Sequence, residues 1–146
     1  MTTSSTLRAV AVMAAAAGPQ QPLPLFLTRV PAGFPSPADD YVDRQLDLND
    51  LLVQRPEATF FVRVEGDSMT GAGIHSGDLL VVDRTAEAAP GKVVVAAIDG
   101  ELTVKRLRRS PDALWLVAEN DAYPPQRVTT ELVIWGVVRH VIHEVE

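Results

Sequence analysis

Short runs rich in β-branched and aromatic residues, each closed off by glycine, proline, aspartate or serine, constrain this chain more than any other feature. They are Phe60–Val64, Leu79–Val82, Val93–Ile98, Leu102–Leu107, Leu114–Ala118 and Leu132–Val141. Their spacing predicts an all-β fold of short, mostly antiparallel strands. Ile98-Asp-Gly-Glu101 is the sharpest local signal, because Asp-Gly readily supplies the two positive φ angles of a type I′ turn between antiparallel strands. One helix is expected, over Leu48–Gln54, with Asp47 as its cap and Pro56 as its stop.

The 146 residues suffice for one ordinary domain, and the 47% hydrophobic fraction supplies a core without staples. There is no cysteine, which removes disulfides, Cys-based zinc sites and thiol nucleophiles together, and three histidines leave little material for a metal centre. No cofactor is expected. A net charge of -6 has the wrong sign for a nucleic-acid binder, so sequence-specific DNA binding is not expected. The longest apolar run, Ala9–Ala17, is far short of the roughly 18 residues of a membrane-spanning helix.

Charge divides the chain. Residues 1–32 hold Arg8 and Arg29 and no acid, giving +2, so the remaining residues carry -8. Gly18, Pro19, Pro22, Pro24 and Pro31 interrupt any long helix there. Residues 1–32 therefore read as an extended, weakly anchored, flexible arm, and residues 33–146 as the folded body. Arg8 followed by Ala9–Ala17 has the form of a secretory signal, but a stretch that is mostly alanine is weakly hydrophobic. A cytoplasmic location is the expectation.

Gly66-Asp-Ser-Met-Thr-Gly-Ala-Gly73 follows the first body strand directly. Its glycines allow sharp turning and close approach, so Ser68 is expected to be presented rather than buried. On its own such a loop more often holds a serine that caps the next turn. Thr103-Val-Lys105-Arg-Leu107 lies on the strand that returns from the Asp-Gly turn. Alternation puts Thr103, Lys105 and Leu107 on one face and Val104, Arg106 and Arg108 on the other. A lysine among apolar neighbours loses solvation, its pKa falls, and the neutral amine can take a proton from a serine hydroxyl. Read by itself, the same run is a solvated basic edge that discourages strand pairing.

Taken in order, Ala32-Gly-Phe-Pro-Ser-Pro-Ala38, Asp39-Asp-Tyr-Val42, Asp47-Leu-Asn49, Gly66-Asp-Ser-Met69, Gly77-Asp-Leu-Leu80, Asp99-Gly-Glu101, Thr103-Val-Lys105, Asn120–Tyr123 and Gly136-Val-Val138 resemble the UmuD-type, LexA-related self-cleaving Ser/Lys peptidases of SOS mutagenesis. The resemblance covers almost everything after residue 23. It implies a LexA-like C-terminal peptidase fold that also serves dimerisation, with Ser68 as nucleophile, Lys105 as general base and Ala32–Gly33 as the bond cut. The arm 1–32 would be removed by that cut. Backbone N–H groups of Ser68 and its neighbour Asp67 are the expected oxyanion donors. The resemblance further implies a homodimer, cleavage stimulated by the RecA filament on single-stranded DNA, and a trimmed form that serves a UmuC-like error-prone translesion polymerase.

Two departures stand out. Pro31 precedes the expected cut and fixes φ beside it, and the arm is alanine-rich and longer than is typical. Proline-broken residues 1–32 do not suit a helix-turn-helix, which favours the polymerase-accessory branch over the repressors. Competing readings are a non-catalytic polymerase or filament interaction module, and a protease acting in trans and related to signal peptidases. A Ser/His pairing through His75 with Asp67 or Asp78 lacks a Gly-x-Ser-x-Gly elbow. His140 and His143, three apart on an expected strand, face opposite ways and do not suit a shared metal. Trp115 and Trp135 suit a core or a dimer interface better than a base-stacking platform.

Overall fold

The computed structural model describes residues 7–15, 22–26, 42–129 and 131–145. The expected all-β class holds. Strands β1 (Arg8–Ala14), β4 (Thr59–Glu65), β5 (Leu79–Asp83), β6 (Val93–Ile98), β7 (Glu101–Ser110), β8 (Ala113–Val117), β9 (Gln126–Arg127) and β10 (Leu132–Ile142) form one antiparallel sheet in the order β1-β4-β5-β10-β6-β7-β8-β9. A bridge between Arg8 and Thr103 joins β1 to β7 and closes the first six strands of that order into a ring. β2 (Pro22–Phe26) and β3 (Val42–Asp47) make a separate antiparallel ribbon, Pro22 opposite Asp47 and Phe26 opposite Val42. The expected cleavage bond, Ala32–Gly33, falls in the connection between them and lies outside the described residues.

Every strand expected in the body is present. Asp99 and Gly100 take φ of 51° and 79°, and Ile98 pairs with Glu101 across them, so the two-residue turn forms as the Asp-Gly pair requires. The expected helix is α1, Leu48–Leu52, two residues shorter at its end than the sequence suggested. Asp47 caps it, its Oδ1 accepting from the Asn49 N–H at 3.0 Å.

Two apolar clusters hold the sheet. One gathers Leu7, Phe60, Val62, Val64, Met69, Ile74, Leu80, Val82, Val95 and Val104. The other gathers Val94, Ala96, Ile98, Leu107, Leu116 and Val137. Val94 and Val95 belong to different clusters, as do Val104 and Leu107, so β6 and β7 are buried on both faces. The lysine at position 105 therefore lies in a strand with little access to water. Gly136 on β10 is required for close approach, since a Cβ there would stand 2.8 Å from the Asp83 carbonyl oxygen.

The arm contributes more than its composition suggests. Residues 8–14 pair with β4 from Arg8 opposite Glu65 to Ala14 opposite Phe60. Leu7 is fully buried in the first cluster. That part of the expected flexible arm is a strand of the sheet, anchored by one leucine and a backbone ladder.

Candidate active site

β4 leads into the loop that carries Ser68, and β7 carries Lys105. Since β4 and β7 stand on either side of β1, the closed ring brings two residues 37 positions apart into contact. Lys105 Nζ lies 3.0 Å from Ser68 Oγ. That separation serves a hydrogen bond in either direction, from a charged lysine to the hydroxyl or from the hydroxyl to a neutral amine.

The loop is held from behind. Gly71 donates its N–H to the Glu119 carbonyl at 2.7 Å, and a Cβ at Gly71 would stand 2.6 Å from that oxygen. Asn120 Nδ2 donates to the Asp67 carbonyl at 2.9 Å, and the Tyr123 hydroxyl donates to Asp67 Oδ1. The Glu119 carboxylate in turn pairs with Arg106 and reaches Arg108 at 4.0 Å. Two arginines that on the competing reading would form a solvated basic edge thus pair with the residue whose carbonyl holds the Ser68 loop. Gly66 and Gly73, at φ of 115° and 80°, supply the turns at either end of the loop.

Ser68 is fully buried, and Lys105 is 7% exposed. The expectation of a presented serine is corrected by Leu7, the residue just before β1, whose N–H meets the hydroxyl. The Leu7 N–H donates to Ser68 Oγ at 2.9 Å, and Thr103 Oγ1 donates to the Leu7 carbonyl at 3.0 Å. Val94 stands opposite Lys105 in the neighbouring strand. Burial among such groups disfavours the ammonium and pulls the Lys105 pKa down from 10.5 to about 8. Lysine is therefore available as a neutral base at a pH where a free one is almost wholly charged.

His75 has no place in this arrangement. It is exposed, its ring lies 5.2 Å from that of His143, and its backbone N–H donates to Asp78 Oδ2 at 2.8 Å. His143 Nδ1 meets the other oxygen of the buried Asp78 at 2.6 Å. No group of three or more metal-ligating side chains is present among the described residues. Trp135 is 42% exposed and packs edge-on against Phe60 at 6.2 Å, and Trp115 donates to Ser110 Oγ at 3.0 Å.

A buried serine hydroxyl thus lies against a desolvated lysine, on a loop clamped to a β-sheet. The Peptidase S24-like family matches residues 24–139. The chain belongs to that family. It is 52% identical over 125 residues to protein SamA of Salmonella typhimurium, spanning 86% of this chain and 88% of SamA. With protein MucA of Escherichia coli the identity is 44% over 125 residues, spanning 84% and 85% respectively. LexA repressor 1 of Xanthomonas campestris pv. campestris is 48% identical over 111 residues, spanning 75% of this chain and 54% of the repressor. The chain accordingly stands with the UmuD-type proteins of SOS mutagenesis, as its motifs indicated, and is by family a self-cleaving serine peptidase. No helix of the described residues is long and apolar enough to cross a membrane.

Ser68 and Lys105, which the sequence singled out, are brought into contact, whereas Leu7, Thr103 and Glu119, which meet the same site, were not assigned to it from the sequence. Thr103 shares the Lys105 face by alternation, and that was a usable signal. Glu119 offers its backbone carbonyl to Gly71, and no side-chain pattern announces a backbone acceptor.

Proposed function

We propose that Ser68 and Lys105 are the catalytic pair of a self-cleaving peptidase that cuts its own chain between Ala32 and Gly33, and that the trimmed protein is an accessory subunit of an error-prone translesion polymerase. The observation that carries this is the 3.0 Å contact between Lys105 Nζ and Ser68 Oγ inside a dry site.

In the first step neutral Lys105 takes the Ser68 proton while Oγ attacks the Ala32 carbonyl carbon. The oxyanion that forms is held by the backbone N–H groups of Asp67 and Ser68. The C–N bond breaks, and the Gly33 nitrogen leaves with the proton that Lys105 carried. Ser68 is then esterified by the arm. Water attacks that ester and gives its proton to Lys105, which returns one to Ser68 Oγ as the arm leaves with a carboxylate at Ala32. Small side chains at Ala32 and Gly33 let the backbone enter a narrow site, and tethering the substrate to its enzyme raises its effective concentration.

A homodimer in the cytoplasm, activated by the RecA filament on single-stranded DNA and paired with a UmuC-like polymerase, completes this reading. It is supported by the identity to SamA and MucA across most of their length. The test is the intact mass of the protein before and after incubation with RecA, single-stranded DNA and ATP. A product of residues 33–146 is expected from the wild type and none from Ser68→Ala or Lys105→Ala. Cleavage of Lys105→Ala at the wild-type rate would overturn the mechanism.

A further inference from the structure

The strand that covers Ser68 takes no part in the reaction above, yet it is held by three kinds of contact at once. Its backbone pairs with β4 from Arg8 to Ala14, and the ladder ends with the Ala15 N–H donating to the Thr59 carbonyl at 3.2 Å. Leu7 is buried in the apolar cluster that includes Val62, Val64, Met69 and Ile74 and has no exposed surface. The peptide groups of Leu7 are bound by the site itself, the N–H by Ser68 Oγ at 2.9 Å and the carbonyl by Thr103 at 3.0 Å. The outer side chains contribute little, since Val10, Val12 and Met13 are each 45–47% exposed. A ladder along a strand edge, one deep apolar pocket and polar contacts to the peptide unit beside it are how sheets bind extended peptides.

We propose that the slot between β4 and β7 is an extended-peptide site whose resident ligand is the chain's own Leu7–Ala15 strand, and that this strand is an internal inhibitor of self-cleavage. The inference rests on Ser68 and Lys105 being the catalytic pair. While β1 is seated, the Leu7 N–H occupies one lone pair of Ser68 Oγ, and a charged Lys105 occupies the other, so the hydroxyl has none left with which to attack. The Leu7 backbone also fills the space beside the oxygen that the Ala32 carbonyl needs. The two segments lie 25 residues apart in the chain and compete for one place. Cleavage therefore proceeds only from the fraction of molecules in which β1 has lifted, and an activator works by increasing that fraction. The same contacts act after the cut. Breaking the bond after Ala32 frees β1 from the covalent chain but removes none of its pairing with β4, so the released arm stays seated and closes the site again.

The experiment uses the full chain at pH 9 without any filament. Leu7→Ser empties the pocket and weakens seating by roughly a hundredfold, the order expected for burying one leucine side chain. Its self-cleavage should be faster than wild type by about tenfold or more. A synthetic peptide of residues 5–15 should slow the Leu7→Ser chain back toward the wild-type rate, and the same peptide carrying serine in place of leucine should not. A Leu7→Ser chain that cleaves at the wild-type rate overturns the proposal. So does one that cleaves faster without response to the peptide, because that pattern marks a loosened fold rather than an emptied slot. Failure of the catalytic reading is read separately, from cleavage that persists in Ser68→Ala. In that case fluorescence polarisation of the labelled peptide on the Leu7→Ser chain still tests the slot: saturable, leucine-dependent binding supports it and none overturns it.

Discussion

The charge on Lys105 sets the pH profile of unassisted cleavage. With a pKa of about 8, the lysine is neutral in about one molecule in ten at pH 7 and in about nine in ten at pH 9. The rate should therefore climb by about a factor of ten for each pH unit below 7, by about tenfold in total from pH 7 to 9, and level off above pH 9. An unperturbed lysine at 10.5 would keep the rate rising steeply through pH 10, and a histidine base would level it off near pH 7. The position of the plateau thus reports the desolvation of this one side chain. The assay is a time course of intact mass from pH 6 to pH 10 in the absence of RecA, with Ser68→Ala as the blank. A rate that is flat between pH 7 and 9, or that reaches its plateau by pH 7, refutes the assignment of Lys105 as the base. Stability moves with the same proton. The unfolded chain holds its Lys105 proton up to pH 10.5 and the folded one only to about pH 8, so between those values the unfolded state binds more protons and stability rises with pH. The full change is about 3 kcal/mol, from the value below pH 8 to the value above pH 10.5.

Lys105→Met should accordingly stabilise the protein at pH 7 by up to about 3 kcal/mol while abolishing cleavage, and the gain should vanish above pH 10.5. Urea melts at the two pH values check both signs. Gly71→Ala forces a Cβ against the Glu119 carbonyl at 2.6 Å, which should cost about 1–3 kcal/mol and slow cleavage by shifting the Ser68 loop; the same melts and the mass assay measure it. His75→Ala, exposed and in contact with Asp78 and His143 rather than with the dyad, should cleave at close to the wild-type rate, and a large loss would revive a histidine mechanism.

The body strands were legible because each is a short apolar run between residues that end strands, and β6 and β7 carry the added certainty of an Asp-Gly turn. Ser68 and Lys105 stood out only through the ordered family motifs, since a glycine-rich turn and a lysine in a basic run each have a commoner structural reading. β1 and β2 were hidden for two different physical reasons. β2 contains Pro22 and Pro24, which lack the N–H groups a strand normally offers, so its sequence argues against the pairing it makes with β3. β1 is alanine-rich, with an exposed outer face, so it has no alternation of polar and apolar residues to detect.

The burial of Ser68 was beyond any reading of its own loop. Gly66–Gly73 has the residues of an accessible turn, yet Ser68 and Met69 within it are fully buried. What closes the site is a leucine 61 positions upstream whose peptide N–H reaches the hydroxyl. Which segment lies in the slot between β4 and β7 is a competition between stretches of the same chain for one ladder and one pocket. Local pattern cannot rank those competitors, because main-chain pairing is open to almost any extended sequence and only the pocket discriminates. Leu7 fits that pocket, while Ala32 and Gly33 bring almost no side chain to it. The bond proposed to be cut is thus suited by its small residues to a narrow catalytic position and poorly suited to tight seating, whereas Leu7 is matched to seating alone. A chain built in this way rests in the closed state and cleaves when the balance is tipped, which is the behaviour required of a peptidase whose substrate is always attached.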